Sequence, residues 1–178
     1  MSYGDNVSVS VQVSEIFNTN ANNKDEWLTP PEIIKVLGEF DLDPCSPHPN
    51  QRPWDTAKRH FHKEMNGLNQ LWSGRVWCNP PYGKETFKWL EKLHDHGNGI
   101  ALIFARTDTH GFHEQVWNKA DAMFFLRGRL SFYKIEGNST ILPRQKSGAP
   151  SCLVAYGSNN LQSLKNCKLK GKFVNLKQ

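Results

Sequence analysis

The chain has 178 residues, which suffice for one compact domain with a buried core but not for two ordinary domains. It contains no apolar run of about 18 residues and does not open with a basic segment followed by an apolar one, so we expect a cytoplasmic protein without a membrane span. The formal net charge of +5 favours a polyanionic partner, and four widely separated cysteines favour free thiols over a disulfide framework.

Three regions differ in composition. Residues 1–23 are polar, apart from alternating valines between Val7 and Val13, and are expected to form a mobile arm that could contain a short strand. Residues 24–157 are expected to form the globular domain. Residues 158–178 are rich in lysine and have few apolar anchors, so they are expected to be a solvated basic extension or an arm that contacts phosphates.

Strand and helix patterns alternate within the globular region. A helix is expected to open at Pro30 and Pro31 with Thr29 as its cap, and to end at Gly38. The alternation predicts an α/β fold with a mostly parallel sheet and helices on both faces. Strands are expected at residues 40–44, 74–78, 100–105, 122–126, 130–133 and 151–156, and further helices at 85–96 and 112–119.

The motif Asn79-Pro80-Pro81-Tyr82 follows a predicted strand, at the sheet edge where open α/β folds bind ligands. The side-chain oxygen of Asn79 and the carbonyl of Pro80 can accept both hydrogens of a planar amino group, which frees the nitrogen lone pair to attack a methyl donor. The fixed φ angles of Pro80 and Pro81 hold that carbonyl, and Tyr82 offers a ring for stacking. A structural proline-rich turn is the alternative.

Several short motifs follow one another along the chain. They are Trp27-x-Thr29-Pro30, Phe40-Asp41-Leu42-Asp43-Pro44, Gly67-Leu68-x-x-x-Trp72, Trp77-Cys78-Asn79-Pro80-Pro81-Tyr82, Ala105-Arg106-Thr107-Asp108-Thr109 and Arg127-Gly128-Arg129-Leu130-x-Phe132. Together they resemble the phage-type DNA N-6-adenine methyltransferase (Dam) family over about residues 24–157. The resemblance implies a Rossmann-like class I methyltransferase fold, S-adenosylmethionine as the methyl donor and double-stranded DNA as the substrate. We also expect a monomer, located in the host cytoplasm if a phage encodes it.

The resemblance places the methyl donor between the Thr29-Pro30 turn, the loop 41–46 and Asn79. Asp43 is suited to bind ribose hydroxyls or the donor's amino group, although a purely structural Asp-Pro turn is the alternative, and Asp41 has the same ambiguity. The chain departs from related patterns because it lacks a Gly-x-Gly after the first strand and has Asn66 where the family has an acid. The expected cofactor-binding residues are Trp27, Thr29, Pro30, Asp41, Asp43, Pro44, Asn66 and Asn79.

Basic residues in three segments are candidates for DNA contacts. The segment 47–64 interleaves cations with aromatic residues, as nucleic-acid grooves often do. Residues 106–109 could surface beside the pocket, or they could be an ordinary exposed loop. The stretch 127–147 carries several cations and glycines that favour mobility. The expected DNA-binding residues are Arg52, Lys58, Arg59, Arg106, Asp108, Arg127, Arg129 and Arg144.

Other functions remain open on sequence grounds. The target amino group could be cytosine N4 or a protein glutamine, although the basic charge favours nucleic acid. A catalytically silent DNA-binding module is the alternative from another class. No metal is expected, because a zinc site built from Cys45, His48, His60, His62 and Cys78 would match no usual ligand spacing.

Overall fold

A computed structural model of the protein describes residues 27–136 and 140–177, and its centre is a seven-stranded sheet in the order β2-β1-β3-β4-β8-β5-β9. A separate hairpin joins β6 and β7. The strands are β1 (Leu42–Asp43), β2 (Arg59–His60), β3 (Val76–Cys78), β4 (Gly99–Phe104), β5 (Ala122–Leu126), β6 (Ser131–Glu136), β7 (Thr140–Lys146), β8 (Ser151–Tyr156) and β9 (Gly171–Asn175). The predicted arm 1–23, with its possible strand, lies outside the described residues.

The sheet is mixed, so the α/β class is confirmed but the prediction of a mostly parallel sheet is wrong. β1 pairs in parallel with β2 and β3, and β3 with β4, over one to three residues each. The longer pairings of β8 with β4 and β5, and of β5 with β9, are antiparallel. After the β6–β7 hairpin, the chain enters the gap between β4 and β5 as β8. Because β8 is antiparallel to both neighbours, it begins at the edge of the sheet where β4 and β5 end.

Helices cover both faces of the sheet. They are α1 (Pro31–Leu37), α2 (Thr86–His96), α3 (His110–Phe112), which continues as a π-helix over His113–Trp117, and α4 (Ser158–Asn166). Alternate residues of β4 enter different cores: Ala101 and Ile103 pack with α2 and α3, whereas Ile100 and Leu102 pack with α1 and α4. In the described part of the chain, no helix is both long and apolar enough to cross a membrane.

The start of α1 differs from the prediction. Its N-terminal flanking residue is Pro30, without a side-chain cap, so Thr29 does not cap the helix. Thr29 is buried, and its carbonyl oxygen accepts a hydrogen bond from Nε1 of Trp54 at 3.0 Å. Gly38 ends the helix with a φ of 90°, a conformation that favours glycine.

The C-terminal segment is part of the domain, so the prediction of a solvated extension is wrong for residues 158–177. Leu164 of α4 is fully buried, and β9 pairs with β5 along the edge of the sheet. Asn160 is also buried and bonds to Arg75 at 2.7 Å and Asn98 at 2.9 Å. Among its many lysines, this segment has a short amphipathic pattern. The apolar residues that pack against the core are Leu161, Leu164, Phe173 and Val174.

A hairpin occupies part of the stretch 127–147, where the sequence predicts one strand at residues 130–133. β6 and β7 pair from Ser131–Lys146 to Glu136–Thr140, with an irregularity between Phe132 and Lys134. Leu28 forms an isolated bridge to Tyr133, so the segment before α1 is tied to β6. Short 3-10 turns occupy Pro49–Gln51, Lys63–Met65 and Gly67–Asn69.

Candidate active site

A cavity of about 370 Å³ lies where β1 and β3 end. These strands are parallel neighbours, so their carboxyl ends meet at one edge of the sheet and bring Asp43 and Asn79 into the same cavity. The walls come from the segment before α1, from the loop between β1 and β2, from the segment after β2, from the loop after β3 and from α2. The lining residues are Trp27, Leu28, Thr29, Asp43, Pro44, Cys45, Ser46, Pro47, Arg52, Trp54, Thr56, His62, Lys63, Asn66, Gly67, Asn79, Pro80, Pro81, Tyr82 and Trp89.

The carboxamide of Asn79 has a defined orientation. Its Nδ2 donates a hydrogen bond to the carbonyl oxygen of Trp27 at 3.0 Å. Because Nδ2 makes this bond, the carboxamide is oriented with Oδ1 available to accept other hydrogen bonds. The hydroxyl of Tyr82 donates to Oδ1 over a long 3.4 Å, which leaves acceptor capacity for a ligand amino group.

The loop after Asn79 is fixed by its own turn. Oγ1 of Thr86, at the start of α2, donates to the carbonyl of Pro81 at 2.7 Å and accepts from the backbone N–H of Gly83 at 3.1 Å. Pro80 is buried and Pro81 is exposed. Since both prolines fix φ, the carbonyl of Pro80 has little freedom to move away from Asn79.

Tyr82 stacks on an aromatic residue of the protein. Its ring lies parallel to that of Phe104, with an interplanar angle of 2° and centroids 3.9 Å apart, and it meets Phe132 edge-on at 6.4 Å. Burial raises the pKa of the Tyr82 hydroxyl, so this group stays protonated at neutral pH. A base can therefore stack on Tyr82 only on the face that Phe104 leaves uncovered, or by separating the two rings.

Asp43 is a buried acid at the end of β1. Its Oδ1 accepts from the backbone N–H of Cys45 at 3.1 Å, and its Oδ2 accepts from the hydroxyl of Thr56. Burial raises the pKa of Asp43 from 3.8 to about 6, against the lowering effects of these hydrogen bonds and of the Arg52 charge. A buried carboxylate in a cavity is a natural partner for a cationic or hydroxyl group of a ligand.

Asn66 and Gly67 line the cavity together with Pro44. Asn66 adopts a left-handed conformation with a φ of 47°. A Cβ atom on Gly67 would lie 2.0 Å from the carbonyl oxygen of Pro44, so only glycine allows this approach. The close contact accounts for glycine at position 67, and the neighbouring Asn66 lines the cavity.

A family model described as DNA N-6-adenine-methyltransferase (Dam) matches residues 17–166. The chain belongs to the Dam family. The resemblance inferred from the sequence motifs is thereby confirmed, and membership implies methyl transfer to N6 of adenine in DNA. Comparisons with curated proteins and with solved structures give no match.

Most of the residues predicted to bind the cofactor of this Dam protein lie together in the cavity. Two do not. Asp41 precedes β1, at the opposite edge of the sheet, where it accepts from the backbone N–H of Arg75 at 2.8 Å and from Lys58 at 3.2 Å. These bonds lower the pKa of Asp41 and give it a structural role. Pro30 flanks α1 and does not line the cavity. Those in the cavity are Trp27, Thr29, Asp43, Pro44, Asn66 and Asn79.

The residues predicted from the segment 47–64 to bind DNA separate in space. Arg52 lines the cavity, and its side chain is only 17% exposed. Lys58 pairs with Glu39 and Asp41, and Arg59 donates to the hydroxyl of Ser73 at 2.6 Å, so both lie away from the cavity. The sequence does not show this division, because it depends on how the loop that carries Arg52 folds relative to β2.

The remaining predicted DNA contacts lie outside the cavity. Arg106 and Asp108 follow β4 at the same sheet edge and are exposed. Arg127 and Arg129 are exposed after the end of β5, which runs in the same direction as β4 because both are antiparallel to β8. The backbone of Arg144 lies in β7.

Several lining residues were not named individually among the predicted site residues. Thr56 and Ser46 carry no motif, and their proximity to Asp43 and Arg52 depends on how the proline-rich loop 44–54 folds back. In the described part of the chain, no three potential metal ligands converge. The sulfurs of Cys45 and Cys78 lie 3.7 Å apart, as free thiols.

Proposed function

We propose that this Dam protein transfers a methyl group from S-adenosylmethionine to N6 of a flipped adenine in double-stranded DNA, on a Rossmann-like class I methyltransferase fold. The observation that carries the proposal is the orientation of the Asn79 carboxamide, whose Oδ1 is available beside a cavity that contains the buried Asp43. The three parallel pairings next to that cavity support the fold assignment, since open α/β sheets bind ligands at this edge.

The cavity fits a nucleoside that carries an amino-acid group. Its volume of about 370 Å³ falls within the range of about 300–1,000 Å³ typical of small-molecule sites. Trp27 and Trp54 provide aromatic walls, and Asp43 and Asn66 provide polar contacts. When bound, S-adenosylmethionine supplies a methyl group on a sulfonium centre, and these four residues, with Thr29 and Pro44, would hold it.

The loop 79–82 orients the target amine. Oδ1 of Asn79 and the carbonyl oxygen of Pro80 accept its two hydrogens, so that the nitrogen lone pair points out of the base plane. The same two oxygens stabilise the positive charge that develops on nitrogen during methyl transfer. Tyr82, supported by Phe104, stacks on the base and offsets part of the cost of flipping, which is a few kcal/mol.

DNA would lie along the edge of the sheet that contains the cavity. Arg127 and Arg129 follow β5 at this edge, about three strand spacings or roughly 14 Å from β3. Leu126 pairs with Gly171, so the exposed Lys170 and Lys172 lie beside the two arginines. These four cations form a basic edge suited to phosphates that flank the target base.

Transfer of labelled methyl groups tests the proposal. Duplex DNA from a methylation-deficient host is incubated with the protein and methyl-labelled S-adenosylmethionine, and the modified nucleosides are identified by mass spectrometry. We expect N6-methyladenine, and Asn79→Ala should abolish most of it. N4-methylcytosine, label on added protein, or DNA binding without any label would each contradict the proposal in favour of a different activity.

A further inference from the structure

Arg52 was expected at a DNA surface, but it lies in the wall of the cavity. Its Nε donates to Oδ1 of Asp55 at 3.0 Å and its Nη1 donates to Oγ of Ser46 over a long 3.4 Å. Nη2 has no hydrogen-bond partner within residues 27–136 and 140–177. A largely buried guanidinium that still has a free donor edge is suited to binding an anion.

The anion of Asp43 lines the same cavity as Arg52. Ser46, which is buried and accepts from Arg52, lies only three residues after Asp43 in the same loop, so the two charged residues line one part of the cavity wall. Thr56 and the backbone of Cys45 hold Asp43, whereas Asp55 holds Arg52, so the acid and the base are anchored by different partners. The cavity thus offers a fixed negative group and a fixed positive group.

This pair of charges is complementary to the end of an α-amino acid, which has an ammonium and a carboxylate on one carbon. We propose that Arg52 binds the α-carboxylate of the methionine part of the methyl donor, while Asp43 binds its α-ammonium. The inference rests on the proposed function and names the chemistry by which the site selects its donor. A DNA phosphate is the other anion that Arg52 could bind.

Decarboxylated S-adenosylmethionine distinguishes these possibilities, because it keeps every group of the donor except the carboxylate. Calorimetry on the full-length protein without DNA should show that the wild type binds S-adenosylmethionine about tenfold to a hundredfold more tightly than the decarboxylated compound, as expected for a charge-assisted pair. Arg52→Gln should remove this preference by weakening only the intact donor. Lys88→Gln, which removes an exposed cation outside the cavity, should keep it.

Three results would overturn the inference. Equal weakening of both compounds by Arg52→Gln would show that Arg52 only supports the loop, and thermal melting of the variant reports such damage. An unchanged preference combined with a loss of DNA affinity would assign Arg52 to a phosphate. If the wild type binds neither compound, the proposed methyl donor itself is wrong, and this outcome is distinct from the other two.

Discussion

Nδ2 of Asn79 lies 3.0 Å from the carbonyl oxygen of Trp27, and this hydrogen bond determines which atom of the Asn79 carboxamide is left for a ligand. Leu28, next to Trp27, is bridged to Tyr133 of β6. The orientation of Asn79 therefore depends on a contact between the loop after β3 and a segment fixed by the hairpin.

Replacement of Asn79 tests the assigned chemistry. Asn79→Ala should lower kcat by roughly 10² or more, because an oriented group that accommodates developing charge is lost. Affinity for S-adenosylmethionine, measured by calorimetry, should change much less. Asn69→Ala alters an exposed asparagine outside the cavity and should behave as wild type. Near wild-type turnover in Asn79→Ala would contradict the role proposed for Oδ1.

Two replacements of Tyr82 separate its ring from its hydroxyl. Tyr82→Phe should keep most activity, since the hydroxyl makes only a long 3.4 Å contact to Asn79, whereas Tyr82→Ala should lose about tenfold to a hundredfold in kcat/KM with the stacking. Steady-state kinetics on an adenine-containing duplex measures both. If Tyr82→Phe is as inactive as Tyr82→Ala, the hydroxyl has a role that stacking does not explain.

Local patterns predicted the bounds of two strands in the larger sheet. β5 and β8 have the predicted bounds, because continuous apolar runs between polar residues leave little choice. The direction of β8 was not predictable in this way. Its antiparallel insertion between β4 and β5 follows from the hairpin before it, and a strand pattern does not specify its neighbour.

In the site, too, features set by neighbouring residues were predicted, whereas features set by residues distant in sequence were not. The roles of Asn79 and Tyr82 were inferred from a contiguous motif, and the structure places both at the cavity. The sequence did not show which of Asp41 and Asp43 lines the cavity, because the two acids are two residues apart and share one motif. Asp43 is the last residue of β1 and lies at the carboxyl edge of the sheet, whereas Asp41 precedes β1 and lies at the opposite edge. The position of the strand along the chain, which the motif does not specify, therefore separates the two acids.

The basic edge should determine part of the salt dependence of DNA binding. The logarithm of affinity falls linearly with the logarithm of salt concentration, by about 0.9 per phosphate contact. Lys170→Gln combined with Lys172→Gln should reduce this slope by about 1 to 2, measured by fluorescence anisotropy with a labelled duplex. Lys35→Gln combined with Lys119→Gln removes the same charge elsewhere and should leave the slope unchanged. Equal slopes in all three proteins would mean that Lys170 and Lys172 only protect the edge strand from aggregation.

Removal of residues 158–178 should destabilise the domain, although the sequence alone suggested that residues 24–157 would suffice. The deletion takes away α4 and the edge strand β9, and it exposes the core beneath Leu164. Leu164→Ala alone should cost about 2 to 5 kcal/mol of unfolding free energy in urea titrations. Lys165→Ala, at the exposed neighbouring position, should stay within about 0.5 kcal/mol of wild type. A fully stable truncated protein would show that the core closes without α4.

Asp43 should lower the stability of the ligand-free protein at neutral pH. Its folded-state pKa is raised from 3.8 to about 6, so folding favours the protonated carboxyl, and stability falls as pH rises between these two values, by at most about 1.4 kcal/mol per pH unit. Asp43→Asn should therefore melt at a higher temperature than wild type at pH 8, with a smaller difference at pH 4, where Asp43 is protonated. The same variant should bind S-adenosylmethionine more weakly. Asp95→Asn, on the exposed side of α2, should change neither property. A variant destabilised equally at both pH values would show that the hydrogen bonds from Thr56 and Cys45 outweigh the cost of burying the charge.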